Sequence, residues 1–204
     1  MKKYLLLGAL TLLSHLAAET KILVFAGSTR EESYNKKLAL YAAQIARTNG
    51  ATVTVINLKE YPLPLYDGDS EKNEGMPCNA KKIRQLMMDS NAIIIASPEY
   101  NGSVSAVLKN VLDWASRSED GKPSRDAFKG KKFAIMSTSP GTGGGARGLV
   151  HLRFIIDAIG GTVVEDQVIV PNGNDAFDEK GELKNPTIKE QLQKEIKQLL
   201  QDKR

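Results

Sequence analysis

The chain is poor in the residues that build thiol and metal chemistry. It has one cysteine, Cys78, and two histidines, His15 and His151, in 204 residues. A single cysteine excludes an intrachain disulfide and a cysteine-based zinc cluster, and neither histidine has a second one at ligand spacing, so no metal site is expected. An excess of one charge is also missing. Lys and Arg number 28 against 24 Asp and Glu, a net +4 to which Lys2 and Lys3 contribute half. That is too little to argue for nucleic acid as a partner, yet it leaves cations for an anionic ligand. No repeat or low-complexity linker divides the chain, which implies one domain.

Long apolar runs are likewise absent. The longest, Tyr4 to Leu13, is too short to span a bilayer. Preceded by Met1-Lys2-Lys3 and followed by Ala17-Ala18-Glu19, it reads as a secretory leader over residues 1–18, with residues 19–204 as the mature, exported or periplasmic domain. No membrane span is expected once the leader is removed. The alternative is a hydrophobic N-terminal helix on a cytoplasmic protein. Cys78 and Arg84 share the Cys-x5-Arg spacing of a cysteine phosphatase, but no apolar strand precedes Cys78 and no glycine follows it to form a phosphate cradle.

What is present alternates regularly. Short apolar or β-branched runs predict strands at Lys21–Ala26, Thr52–Leu58, Ala92–Ser97, Lys132–Ser137 and Thr162–Val170. Helical spacing predicts helices at Asn35–Thr48, Lys81–Met88, Val104–Trp114, Ala146–Ile159 and Thr187–Asp202. The alternation implies an α/β fold with a mainly parallel sheet and helices on both faces; five strands suit the flavodoxin-like order 2-1-3-4-5, an order that periodicity alone does not fix.

In such a sheet ligands bind beyond the carboxyl ends of the strands, and three polar loops end there. Gly27 to Asn35, after strand one, offers hydroxyls, Arg30 and a helix start suited to phosphate; the bland alternative is Ser33 as an ordinary helix cap. Pro98 to Ser103, after strand three, could wall a planar ring, or be a rigid turn cornered at Asn101-Gly102. Ser137 to Arg147, after strand four, carries four glycines, whose entropic cost suggests close backbone approach to a ligand. It also contains Gly141-x-Gly143-x-x-Ala146 with Glu165 and Asp166 about twenty residues on, which admits a flavin-free Rossmann-type dehydrogenase as a rival. Phosphate at the first loop and a flat ring between the other two match a mononucleotide such as FMN.

These strings resemble the NADPH-dependent FMN reductase family, which includes quinone, chromate and azo-dye reductases. They are Gly27-Ser28-x-Arg30 with Ser33-x-Asn35; Pro98-Glu99-Tyr100-Asn101 with Leu108-Lys109-Asn110-x-x-Asp113-Trp114; and Gly143-Gly144-x-Ala146-Arg147 with Leu152-Arg153. The resemblance implies that Ser28, Arg30, Ser33 and Asn35 hold the FMN phosphate, while Pro98, Glu99, Tyr100, Asn101, Ser139 and Gly141 border the isoalloxazine. Tyr100 and Asn101 would shape the face met by the acceptor. It further implies NADPH or NADH as hydride donor, a small-molecule electron acceptor such as a quinone, flavin, azo compound or metal oxyanion, and a homodimer or homotetramer touching through the Leu108–Trp114 helix. Relatives usually carry Pro-Gly where this chain has Ser105-Ala106, a change at the helix start beside the ring. A rival of another class is a flavodoxin-like electron carrier without NAD(P)H oxidase activity, although carriers usually present an acidic surface.

Overall fold

The computed structural model describes residues 19–201; the leader expected at 1–18 lies outside them. The central sheet contains β1 (Lys21–Ala26), β2 (Thr52–Val55), β3 (Ala92–Ala96), β6 (Lys132–Thr138), β7 (Thr162–Val163) and β8 (Val168–Val170). All pairings in it are parallel, in the order β2-β1-β3-β6-β7, with β8 also on β6. A small antiparallel hairpin, β4 (Glu99–Tyr100) with β5 (Ser103–Val104), stands beyond β3.

The expected order holds, with two refinements. The fifth strand is broken into β7 and β8, separated by a bulge at residues 164–167. The second strand stops at Val55, because Asn57 caps a 3-10 turn at Leu58–Glu60 by accepting a bond from the Lys59 amide.

The strands are apolar on both faces because helices cover both. Ile22, Val24 and Ala26 of β1 face a core shared with α1 (Tyr34–Thr48) and α6 (Pro186–Leu200). Their neighbours Leu23 and Phe25 face the other core, built with α3 (Cys78–Met88), α4 (Ala106–Ala115) and α5 (Ala146–Ala158). Pleating therefore sorts alternate residues into two layers. A further helix, α2 (Gly68–Glu74), was not evident from periodicity because it is short and polar.

The string Leu108 to Trp114 has a structural role. Asn110 Nδ2 and Trp114 Nε1 both donate to the Pro64 carbonyl, each at 2.9 Å, and the Tyr66 amide donates to Asn110 Oδ1 at 2.8 Å. Buried Glu71 on α2 pairs with Arg117 at 2.7 Å and accepts from the Tyr66 hydroxyl. These bonds clamp the segment after β2 onto α4. Cys78 is the exposed first residue of α3, and Arg84 turns inward to Ser124 and Asp126 at 3.1 Å, so the two form no phosphate loop.

Candidate flavin site

Four loops meet at the carboxyl edge, and each is tied to a neighbour by polar bonds. Ser105 caps α4 by accepting from the Leu108 amide at 3.1 Å, and donates its hydroxyl to the Gly27 carbonyl at 2.6 Å. The serine that stands where relatives usually carry proline thus joins α4 to the loop after β1. Asn35 joins α1 to the end of β6: its Nδ2 donates to the Thr138 carbonyl at 2.9 Å, and its Oδ1 accepts from the Thr138 amide at 3.1 Å. Its amide is therefore engaged by the backbone, and Asn35 ties the start of α1 to the end of β6.

Ser28 and Ser33 are buried, while Arg30 is exposed. Ser33 stands at the N-cap of α1 without making a side-chain cap, so it is not the ordinary cap that one reading allowed. No acidic residue occupies the first turn, and neighbouring Glu31 is tied to Lys59. The positive end of a 15-residue helix is left open beside Arg30. One more polar atom lacks a partner here: Thr138 Oγ1 is buried and unbonded, on the residue that Asn35 grips. A buried hydroxyl without a partner costs about 1–3 kcal/mol, which a polar ligand would offset. Sequence reasoning missed Thr138 because it reads as one more residue of a Ser-Thr-Ser strand end.

The hairpin holds the second string. Pro98 is buried, and Tyr100 and Asn101 are exposed. Asn101 (φ 53°) and Gly102 (φ 79°) form its left-handed corner, where these two residues are the favoured pair. Glu99 turns away from this shelf to the start of α5. Its Oε2 accepts from the amides of Arg147 at 3.0 Å and Gly148 at 3.2 Å, while Oε1 accepts from Arg147 Nε at 2.8 Å. Burial pushes this carboxyl up, but Arg147 and the Gly148 amide outweigh that and hold it below the usual carboxylate range. On the same side His151 Nδ1 meets Ser103 Oγ at 2.9 Å, fixing the hairpin to α5.

The glycine-rich loop has a divided explanation. A Cβ on Gly145 (φ 91°) would fall 1.9 Å from Ser137 Oγ, and one on Gly144 would fall 2.5 Å from the Ile169 side chain. Those two glycines are required by the protein's own packing. Gly141 and Gly143 face open space, so only they are free for a ligand to approach. The loop's far rim is a turn that the sequence reading overlooked: the Gly173 amide donates to the Ser139 carbonyl at 2.8 Å and the Asn172 amide to the Gly141 carbonyl at 3.2 Å. The signal for it was Pro171-Asn172-Gly173 closing the last strand at the same edge. The Rossmann reading fails on the same ground. The loop follows β6, not β1, and Asp166 is occupied by Lys194 and Gln198.

A cavity of about 250 Å³ lies on the β2 side of this edge, lined by Ser28, Lys36, Leu40, Asn57 and Glu60 among others. Neither Tyr100 nor Gly141 borders it; the hairpin and the glycine loop, which adjoin where Gly145 and Gly148 meet Glu99, make a shelf outside it. Among the described residues no helix is long and apolar enough to cross a membrane.

Comparisons with known proteins agree with this geometry. Residues 20–175 match the family described as NADPH-dependent FMN reductase. An NAD(P)H-dependent FMN reductase of Pseudomonas aeruginosa is 32% identical over 182 residues, 89% of this chain and 94% of that protein. A quinone reductase of Escherichia coli K12 is 31% identical over 141 residues, 69% of this chain and 71% of that protein. Among solved structures, a flavoenzyme NAD(P)H:(acceptor) oxidoreductase of Paracoccus denitrificans shares the fold with a TM-score of 0.74 at 24% identity, covering 88% of this chain and 94% of its own. An open helix N-terminus beside an arginine, an unpartnered buried hydroxyl and a glycine-lined shelf suit a phosphorylated flavin, and this chain belongs to the NADPH-dependent FMN reductase family, oxidoreductases that take hydride from NAD(P)H through bound FMN.

Proposed function

We propose that the α1 N-terminus receives the FMN phosphate and that the flavin ring lies on the shelf between the hairpin and residues 139–143, where a small quinone-like acceptor is reduced. The observation that carries this is the open end of α1. Ser28, Arg30 and Ser33 surround a helix start that no side chain caps and whose first turn holds no acid. Arg30 supplies charge and a bidentate donor for phosphate. Asn35, now a positioning residue, holds α1 against Thr138 so that the Thr138 hydroxyl and the helix amides serve one ligand.

Bound FMN supplies the two-electron chemistry, taking hydride from the nicotinamide and passing it to the acceptor. The chain's own part is to position and to exclude. Pro98 fixes the floor of the shelf, Gly141 and Gly143 let the backbone come close, and Tyr100 with Asn101 shapes the open side that an acceptor meets. Glu99 contributes from below, by locking the hairpin to α5. The quinone class follows the quinone reductase to which the chain is similar.

A homodimer joined through α5 fits the exposed surface better than one joined through α4. The large apolar residues Leu108, Val111, Leu112 and Trp114 of α4 are buried and its outer face carries the Lys109–Asp113 pair, whereas Val150 and Phe154 of α5 are 62% and 75% exposed one turn apart. Residues 1–18 have the composition of a secretory leader, which would place the domain 19–204 outside the cytoplasm; recovery of the protein with an intact N-terminus in the cytoplasmic fraction would refute that.

The deciding experiment is the visible spectrum of the purified full chain before and after anaerobic NADPH, with sedimentation of the same sample. The expected result is a yellow protein that bleaches promptly and sediments at twice the chain mass. Yellow protein that stays oxidised would favour an electron carrier. Colourless protein that cannot be reconstituted with FMN would overturn the cofactor placement.

A further inference from the structure

The edge of the sheet is broken where it supports the site. β6 pairs with β7 at Lys132 and Phe133 and with β8 from Met136 to Thr138. Between these, Ala134 and Ile135 face the bulge at 164–167 rather than a strand. A gap in an edge ladder leaves backbone groups that must find other partners.

Side chains from both faces enter the gap. From α5, Arg153 donates to the carbonyls of Val164 at 2.9 Å, Glu165 at 3.3 Å and Val163 at 3.4 Å. From α6, Lys194 and Gln198 hold the Asp166 carboxylate at 2.8 and 2.9 Å, and Gln198 accepts from the Asp166 amide. Glu195 sits between those two, with no exposed surface and with both carboxyl oxygens unbonded. The backbone amides of Ile135, on β6 within the gap, and of Val168, at the start of β8, lie close enough to act on its carboxyl without bonding it.

We propose that Glu195, in its neutral form, and Arg153 splice this break, and that the splice holds the Ser139–Gly141 rim of the flavin site. The inference rests on the reading that this rim borders the flavin. A buried carboxylate without a cation of its own is costly, whereas a neutral carboxyl has one oxygen to accept an amide and one O–H to donate to a carbonyl. That donor–acceptor pair is what a missing ladder residue would supply. The charges facing it are Asp166 on the bulge, which opposes ionisation, and Arg153 on α5, which favours it but is committed to three carbonyls; Lys194 is committed to Asp166. The link to the site is short. β8 runs directly into Asn172 and Gly173, whose amides bond the carbonyls of Gly141 and Ser139.

Burial, with Asp166 adding to it, pushes the Glu195 carboxyl well above its ordinary 4.5. Its stabilising contribution is therefore complete below that value, and is lost by about tenfold in the folding constant per pH unit until the raised value is passed. The test uses the full chain from pH 5 to 9, measuring thermal unfolding without flavin and FMN affinity by flavin fluorescence. In the native protein both should weaken as pH rises. Glu195→Gln, permanently neutral and the same shape, should flatten both slopes, while Arg153→Ala should lower FMN affinity several-fold at every pH. If Glu195→Gln does not fold, a fall with rising pH in the amide protection of Val168 and Val170 of the native chain, each rate taken relative to its base-catalysed intrinsic rate at that pH, reads the same event.

An unfolding slope in Glu195→Gln equal to the native one, or a Val168 protection factor indifferent to pH, would overturn the splice. A flattened unfolding slope with FMN affinity still following the native pH curve would overturn its link to the rim. Neither result touches the phosphate placement, which Arg30→Ala tests separately through FMN affinity at a single pH.

Discussion

Two helices begin at the same edge of the sheet, a few residues from the same ligand, and they are finished differently. The start of α5 is closed: Glu99 accepts the amides of Arg147 and Gly148 and pairs with the Arg147 guanidinium. The start of α1 is open: Ser33 makes no cap and the first turn has no acid. Both ends carry the same partial positive charge and the same orphan amides. A helix N-terminus becomes an anion site only where the protein declines to fill it, and here the filled end fixes the hairpin while the empty end is the one we propose for phosphate.

That contrast can be broken most severely by filling the open end. Ser33→Asp gives α1 the carboxylate that α5 already has, and like charge then meets the FMN phosphate. We expect FMN affinity to fall by about a hundredfold or more, a cost of roughly 3 kcal/mol, with unfolding temperature unchanged or raised. Flavin titration alongside a melting curve checks both halves; unchanged affinity would remove phosphate from α1.

Emptying the closed end is the converse. Glu99→Ala strips two amides of a charged acceptor at a site only one-tenth exposed, and should cost about 2 kcal/mol of stability. The Arg147 side chain is 80% exposed, so its share of that loss is small. Because the Glu99 carboxyl is held below its ordinary value of 4.5, its contribution is full above that pH and is lost as pH falls through the depressed value. Melting curves from pH 3 to 7 should show the variant converging on the native protein at the acid end. A parallel offset at every pH would mean that packing, not charge, sets the loss.

The smallest effect sharpens the open end. Thr138→Val removes the unpartnered hydroxyl while keeping its shape, so the flavin-free protein should be equally or slightly more stable. FMN affinity should fall about five- to tenfold if that hydroxyl serves the ligand. Affinity indifferent to the change would leave Thr138 Oγ1 without a function.

Much of this was legible in the sequence. The parallel α/β sheet, the edge that carries the site and the loops that line it follow from alternating apolar runs and the polar segments between them, because burial on both faces forces continuous apolar strands; the strand order followed only from the likeness to a flavodoxin-like sheet. Within the loops the reading was coarser. Glu99 and Asn35 were expected at the ligand and are found bracing the frame around it. Asn110 and Trp114, in the most specific string, tie down Pro64. Gly144 and Gly145 answer to Ser137 and Ile169. In each case residue type and position were informative, but direction was not.

What the sequence determined by itself is the set of local choices: which runs bury, which turns bend, and that hydroxyls, an arginine and glycines collect at one edge. Only the tertiary structure decided which helix end stays open, where the last strand breaks and that Thr138 and Glu195 lack partners. The reason is physical. Burial and periodicity are properties of neighbours along the chain, whereas capping, pairing and orphaned polar atoms depend on groups such as Glu99 and Gly148, 49 residues apart, that meet only after folding.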